Sequence, residues 1–521
     1  MKRFLSFLTL VTLMALGPSA SAQTLPSPAG SVPRGLPARL MVGLFEDTGK
    51  TWMKDSAVPW DVRYRYFTKG WVNNWGFSAA DGSWGLKFMQ ESAAQGFIPA
   101  IQYYQMNNEP GGGERDFYAK TKNATTMRGY FSDFKTLMTR VKGFGKPTLI
   151  LLEADGFGYM QQQSGNNPNA YAAVAATGLP ELAGLPDTVA GWGLAFLQLR
   201  KAVGASNAIL GVHISGWASG KDIAYFSVTD SLAPEVQRVH DFLKPLGLGT
   251  NVTGATYDVL VGDPLDRDSD FYRVRLSQQR WWDASDTASL SSSSFNRYAE
   301  WLRLWNVASG KRWVLWQIPL GNSHHLNVDN AGGSRQGYKD NRPEYFFGAN
   351  SAAHRQQFAD SGVLALLFGR GEGRQSSYQN DYYTDGQLFM KSRAGAFLKA
   401  GGLAIPAGTT GTTTPPPTST FSTSVKYLAS GRTFDLTATV TATGAPLSNA
   451  LVDMEVHDAA GVKVGQKYFS GQSFTTGQSA SYGYVWTAPA AGTYTVKVGV
   501  MGATWTPTYA WNDAAASLRA Y

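Results

Sequence analysis

Eight short apolar runs recur between residues 38 and 400, and helical periodicity fills most of the intervals between them. The runs fall at 40–45, 63–67, 98–104, 148–153, 209–214, 256–261, 313–318 and 363–368, and helical patterns at 126–142, 189–203, 234–243, 295–307 and 352–360. Eight strands with intervening helices over this length predict an α/β chain built on a (β/α)8 TIM-type barrel, not an open doubly wound sheet. A barrel places its chemistry at the C-terminal ends of its strands, so only the residues there and in the following loops compete for a functional role.

Residues 401–424 hold the string Gly-Thr-Thr-Gly-Thr-Thr-Thr-Pro-Pro-Pro-Thr-Ser-Thr, which lacks apolar periodicity and reads as an extended tether. Beyond it, residues 425–521 alternate apolar and polar between Gly, Pro, Asn and Ser turns, the pattern of a small all-β sandwich domain. At the other end, Met1-Lys2-Arg3, an apolar run and Ser19-Ala20-Ser21-Ala22 form a signal peptide over residues 1–22. The apolar run is too short to anchor the chain in a bilayer. A patternless lead-in occupies 23–37. The mature protein is therefore expected to be secreted, extracellular or periplasmic, without an integral membrane span and monomeric.

Composition removes several chemistries. The 521 residues include no cysteine, which excludes disulfides, thiolate zinc sites, iron–sulfur clusters and cysteine nucleophiles. Removing Lys2 and Arg3 takes the net charge from +8 to +6, and no run of Lys or Arg marks a nucleic-acid surface. No cofactor is expected. Adjacent His324 and His325 lack metal-ligand spacing, and no Gly-x-Ser-x-Gly elbow or phosphate loop stands in the right context.

Carboxylates supply the remaining chemistry. In the fourth run, strand alternation puts Leu149, Leu151, Glu153 and Asp155 on one face, so two acids project together where the strand ends. In the sixth, Asp258 lies inside an apolar strand, and Asp263, Asp266 and Asp268 follow in the loop. Carboxylates on opposed strands suit cleavage of a glycosidic bond, where one protonates the leaving oxygen and another attacks carbon or activates water. Glu153 is the expected general acid, Asp263 the first candidate for base or nucleophile and Asp258 the second. Asp155 would raise the pKa of Glu153. Calcium binding at 263–270 is the competing reading of the acid-rich loop. Asn108-Glu109-Pro110 matches a glycosidase tripeptide but follows the third strand, and the seventh ends in Gln317, so Glu109 is kept only as a substrate contact.

Thirteen of the 16 tryptophans fall in the barrel region, a density that suits either core or a sugar-lined cleft. The substrate-binding candidates are Trp60, Asp61, His213, Trp217, Trp316, Gln317, Arg370 and Glu109. In the sandwich, Trp505, Tyr509 and Trp511 read either as core or as a sugar-stacking platform.

The segments Val58 to Tyr66, Leu152-Glu153-Ala154-Asp155, Tyr257-Asp258-Val259-Leu260, Asp266-Arg267-Asp268, Arg280-Trp281-Trp282-Asp283 and Tyr338 to Gly348 resemble a group of secreted bacterial proteins similar to glycoside hydrolases with a barrel fold. The resemblance spans most of 40–380. Ala154 departs from the Glu-Pro-Asp common in that group and leaves both carboxylates in place. The stretch from Tyr494 to Trp511 looks like a carbohydrate-binding module of polysaccharide-degrading enzymes. The resemblance implies a polysaccharide hydrolase and no particular sugar. Its rivals are a non-catalytic polysaccharide-binding or surface-assembly protein and a lyase or deacetylase.

Overall fold

A computed structural model describes residues 28–521 apart from 77–80, 224–230, 281, 283–294, 322–337, 370, 372–388, 407–419, 445 and 503–507. The signal segment, His324, His325, Arg370 and Trp505 thus lie outside the described residues.

Eight parallel strands close into a barrel: β1 Met41–Phe45, β2 Val62–Phe67, β3 Ile98–Tyr103, β4 Thr148–Leu152, β5 Ala208–His213, β6 Val259–Gly262, β7 Arg312–Ile318 and β8 Val363–Phe368. They neighbour one another in sequence order, and β8 pairs with β1 to complete the ring. Strands β1, β4, β5, β7 and β8 are buried along their whole length, as expected when one face packs on the barrel interior and the other on helices. The helix Ala124–Phe144 shows how local sequence sets these covers. The Asn123 side chain accepts from Thr126 N–H at its start, Gly145 ends it with φ 77°, and its apolar stripe from Met127 to Val141 is buried.

All eight expected strands form, most within one residue of the expected bounds, and the largest shift matters most. β6 starts at Val259, three residues later than its apolar run suggests, so Asp258 sits below the strand and outside the barrel wall. The lead-in is also better anchored than its composition suggests. Ala29 N–H donates to Asn306 Oδ1 at 2.9 Å and Gly30 C=O accepts from Arg312 Nε at 3.0 Å.

The C-terminal region comprises β9 Phe421–Ser430, β10 Thr433–Ala442, β11 Leu447–His457, β12 Lys463–Phe474, β13 Ser479–Thr487, β14 Gly492–Gly502 and β15 Thr508–Ala520. They form two antiparallel sheets, ordered β13-β10-β9 and β12-β11-β14-β15, around their own apolar core. β9 begins at Phe421, inside the segment that composition reads as tether. Among the described residues, no helix is long and apolar enough to cross a membrane.

Candidate active site

Beyond the end of β4 the backbone leaves the extended region twice, at Glu153 with φ 38° and at Asp155 with φ 58°. Non-glycine residues seldom adopt this conformation, and it collects at functional sites. It also breaks the two-residue alternation, so the two acids part company. Glu153 turns into the protein and is buried. Its Oε1 accepts from Gln105 N–H at 3.1 Å, Met106 N–H at 3.2 Å and the Tyr130 hydroxyl at 2.7 Å. Burial pushes its pKa up to about 8 against the pull of these three donors. Glu153 therefore braces the turn after β3, and the expectation that it faces substrate as general acid is corrected.

Asp155 turns the other way and lines a cleft of about 780 Å³ above the barrel, with 31% of its side chain exposed. Its backbone N–H donates to His213 Nδ1 at 3.1 Å, at the end of β5. That bond leaves the imidazole proton on Nε2, and burial pushes the His213 pKa down to about 3, so the ring is neutral. Burial, joined by the negative charges of Glu114 and Asp266, pushes the Asp155 pKa up to about 6.

Asp263 follows β6 and lines the same cleft. The Gln317 amide donates to its Oδ2, and the Tyr66 hydroxyl donates to Gln317 Oε1 at 2.6 Å, so one chain of hydrogen bonds joins β2, β7 and the loop after β6. Gln317 adopts φ 45°, which re-aims its side chain at the strand end. Asp263 Oδ1 has no hydrogen-bond partner among the described residues. Burial, then the nearby Asp266 and Asp155, hold this carboxyl well above the usual carboxylate range. Asp266 itself binds Arg267 and the Tyr272 hydroxyl.

Trp316 is buried behind these groups, its ring 5.5 Å from that of Tyr66 and 6.0 Å from that of His213. Trp217 lines the cleft and packs at 4.9 Å on Tyr159. Sequence reasoning missed Glu114, which lines the cleft and accepts from the hydroxyls of Tyr104 and Tyr159. The flexible Gly111-Gly112-Gly113 string that carries the chain back over the cleft after β3 was the available signal.

Other candidates lie elsewhere. Asp258, below β6, is bound by Arg200 and accepts from Leu210 N–H at 2.7 Å, which makes it a structural acid at the opposite end of the barrel. Trp60 and Asp61 precede β2 at that same end. Trp60 is buried with Nε1 donating to Ser56 Oγ at 3.1 Å. Asp61 binds Arg39 Nε and Val42 N–H, each at 3.0 Å. Both are corrected from substrate contacts to supports of the barrel floor. Glu109 is buried, held by Lys69 Nζ at 2.5 Å and Gln105 Nε2 at 3.2 Å. Tyr509 leans on the sandwich core, 6.4 Å from Phe421, whereas Trp511 reaches the surface. The acids of 263–270 diverge: Asp266 binds Arg267 and Asp270 binds Arg273. Among the described residues, no three His, Asp or Glu side chains converge as metal ligands.

No family model matches the chain, and no curated protein matches it. Solved structures do. The virulence factor SghA, in complex with its substrate analogue salicin, is similar at a TM-score of 0.37 and 10% identity, over 69% of this chain and 96% of that one. A GH5-4 broad specificity endoglucanase from an uncultured bacterium is similar at a TM-score of 0.32 and 12% identity, over 70% of this chain and 86% of that one. A β-glucuronidase from glycoside hydrolase family 2 matches at a TM-score of 0.16 and 14% identity, and the match spans 19% of this chain and only 11% of that one.

Proposed function

We propose that the chain is an exported glycoside hydrolase that cleaves a polysaccharide in the cleft above its barrel, using Asp155 and Asp263. One observation carries the reading: two carboxyls from different strand ends line one aromatic-walled cleft, and both are displaced from ordinary carboxylate behaviour. Their environments separate their roles. Asp263, its carboxyl held well above the usual carboxylate range by burial, is the group that delivers a proton to the leaving oxygen of the glycosidic bond. Asp155, with a pKa of about 6, is mainly ionised at neutral pH, and either attacks the anomeric carbon or takes a proton from the water that does. The bond between anomeric carbon and leaving oxygen breaks, and one water is consumed over the cycle.

The surrounding groups support this division. Gln317 engages Oδ2 of Asp263 and fixes the carboxyl at the strand end. Neutral His213 fixes the Asp155 backbone without adding a positive charge that would pull the carboxyl pKa down. Residues 1–22 direct export, and the β-rich region holds the polymer near the cutting site, which raises the local substrate concentration.

The test is release of reducing ends from soluble starch, barley β-glucan, glucomannan and xylan by the full chain. Release that disappears in Asp263→Asn supports the reading. Products that absorb in the ultraviolet would reassign the chain to elimination, and absence of any product would reassign it to binding alone.

A further inference from the structure

The outer face of the sheet β12-β11-β14-β15 carries one row of side chains that the sandwich core does not explain. Strand pairing aligns Tyr468, Asp453, Gly499 and Trp511 across all four strands. Tyr468 is 56% exposed and Trp511 37% exposed, while Asp453 between them is 1% exposed. Three strand spacings, about 14 Å, separate the backbones of Tyr468 and Trp511.

The indole is held flat. A side chain at Gly499 would put its Cβ 2.4 Å from the Trp511 ring, so only glycine lets the ring lie on the sheet. Trp511 Nε1 donates to Asp513 Oδ1 at 2.8 Å, and Lys497 Nζ reaches the same oxygen at 3.1 Å. An exposed aromatic ring clamped in one orientation loses little entropy when a flat apolar surface stacks on it. Beside it, Asp453 accepts from Gln466 Nε2 with both carboxylate oxygens at 3.0 Å, and Lys463 Nζ donates to Gln466 Oε1 at 2.8 Å. A carboxylate buried in the outer face of a sheet is costly unless it has such work, and here it fixes an exposed amide.

We propose that this face is a saccharide-binding surface, separate from the cleft, that stacks a sugar ring on Trp511 and bonds its hydroxyls through Asp513, Lys497 and Gln466. The proposal deepens the reading above by placing polymer retention on named residues of β12, β14 and β15. The mixture of flat ring and closely set charges selects the occupant. A protein interface would bury its aromatic centre among uncharged residues, whereas a polyhydroxylated ring offers an apolar face and many hydrogen-bonding groups together.

The experiment is electrophoresis of the full chain through native gels containing soluble starch, barley β-glucan, glucomannan or xylan, with Trp511→Ala, Tyr468→Ala and the cleft variant Asp155→Asn run alongside. At least one polysaccharide should retard the wild type, with an apparent Kd about tenfold weaker in Trp511→Ala, the scale of one stacking contact, and a smaller loss in Tyr468→Ala. In the Asp155→Asn background, Trp511→Ala should weaken retardation by the same factor as it does in the wild type. Should Trp511→Ala fail to fold, Tyr468→Ala decides alone, since its ring is exposed. No retardation by any polymer, or wild-type retardation of the aromatic variants, overturns the proposal. So does a wild-type dimer that becomes monomeric in Tyr468→Ala, which would assign the face to self-association. Retention that depends on Trp511 in a chain releasing no reducing ends would instead leave this surface standing and remove the hydrolase reading.

Discussion

The two ends of the barrel treat their acids in opposite ways. At the N-terminal ends of the strands, Asp61 and Asp258 each meet an arginine and a backbone N–H, from Arg39 and Val42 in one case and Arg200 and Leu210 in the other. At the C-terminal ends, Asp155 and Asp263 share a cleft with Glu114 and Asp266, and the charges that act on them most are negative. The difference teaches that an acid in an apolar barrel is not in itself a sign of chemistry. Acids given an arginine hold strands in place, and acids whose charged neighbours are mainly negative are available to move a proton.

The sharpest way to break the comparison is to neutralise one acid at each end. Asp263→Asn removes the proton donor, and kcat on a responsive polysaccharide should fall about 10³-fold without loss of the fold, read by steady-state reducing-end assays. The pH profile gives the next largest effect. Asp155 must be ionised, so kcat/KM should rise with pH up to about 6, tenfold per unit below that value, and then level off. A flat profile through that range would take Asp155 out of the mechanism.

Asp258→Asn should behave differently, costing about 1–2 kcal/mol in urea unfolding through the lost ion pair and weakened acceptor, with kcat of the folded fraction unchanged. The smallest effect on kcat belongs to Glu153→Gln. The Glu153 pKa rises from 4.5 to about 8 on folding, so its contribution to stability is full below 4.5 and is lost as pH climbs toward 8. The glutamine variant should keep kcat within a few fold, and its melting temperature should fall less than that of the wild type across that window.

The barrel was legible because parallel strands buried on both faces appear as short apolar runs, and eight of them admit few other closures. The site was legible only to the level of which strand ends carry acids. Glu153 and Asp155 were assigned to one face by an alternation that holds only in extended backbone, and the left-handed turns at both residues have no signature in Leu-Leu-Glu-Ala-Asp. Asp258 was drawn into the site by a strand that begins three residues later than its apolar neighbours suggest. Glu114 escaped notice because its role depends on tyrosines from β3's end and the helix Gly156–Gln163, which only the closed barrel brings together. In the sandwich, two-residue alternation would put Tyr509 and Trp511 on one face, and the register shift in β15 between Thr508 and Ala510 is what parts them.

The most direct measurement compares Asp155→Asn with Asp258→Asn in release of reducing ends, at equal concentrations of folded protein. The account predicts that Asp155→Asn loses release about 10³-fold while melting like the wild type, and that Asp258→Asn keeps release while melting earlier. Equal release from Asp155→Asn and the wild type would contradict it, and so would a loss confined to Asp258→Asn.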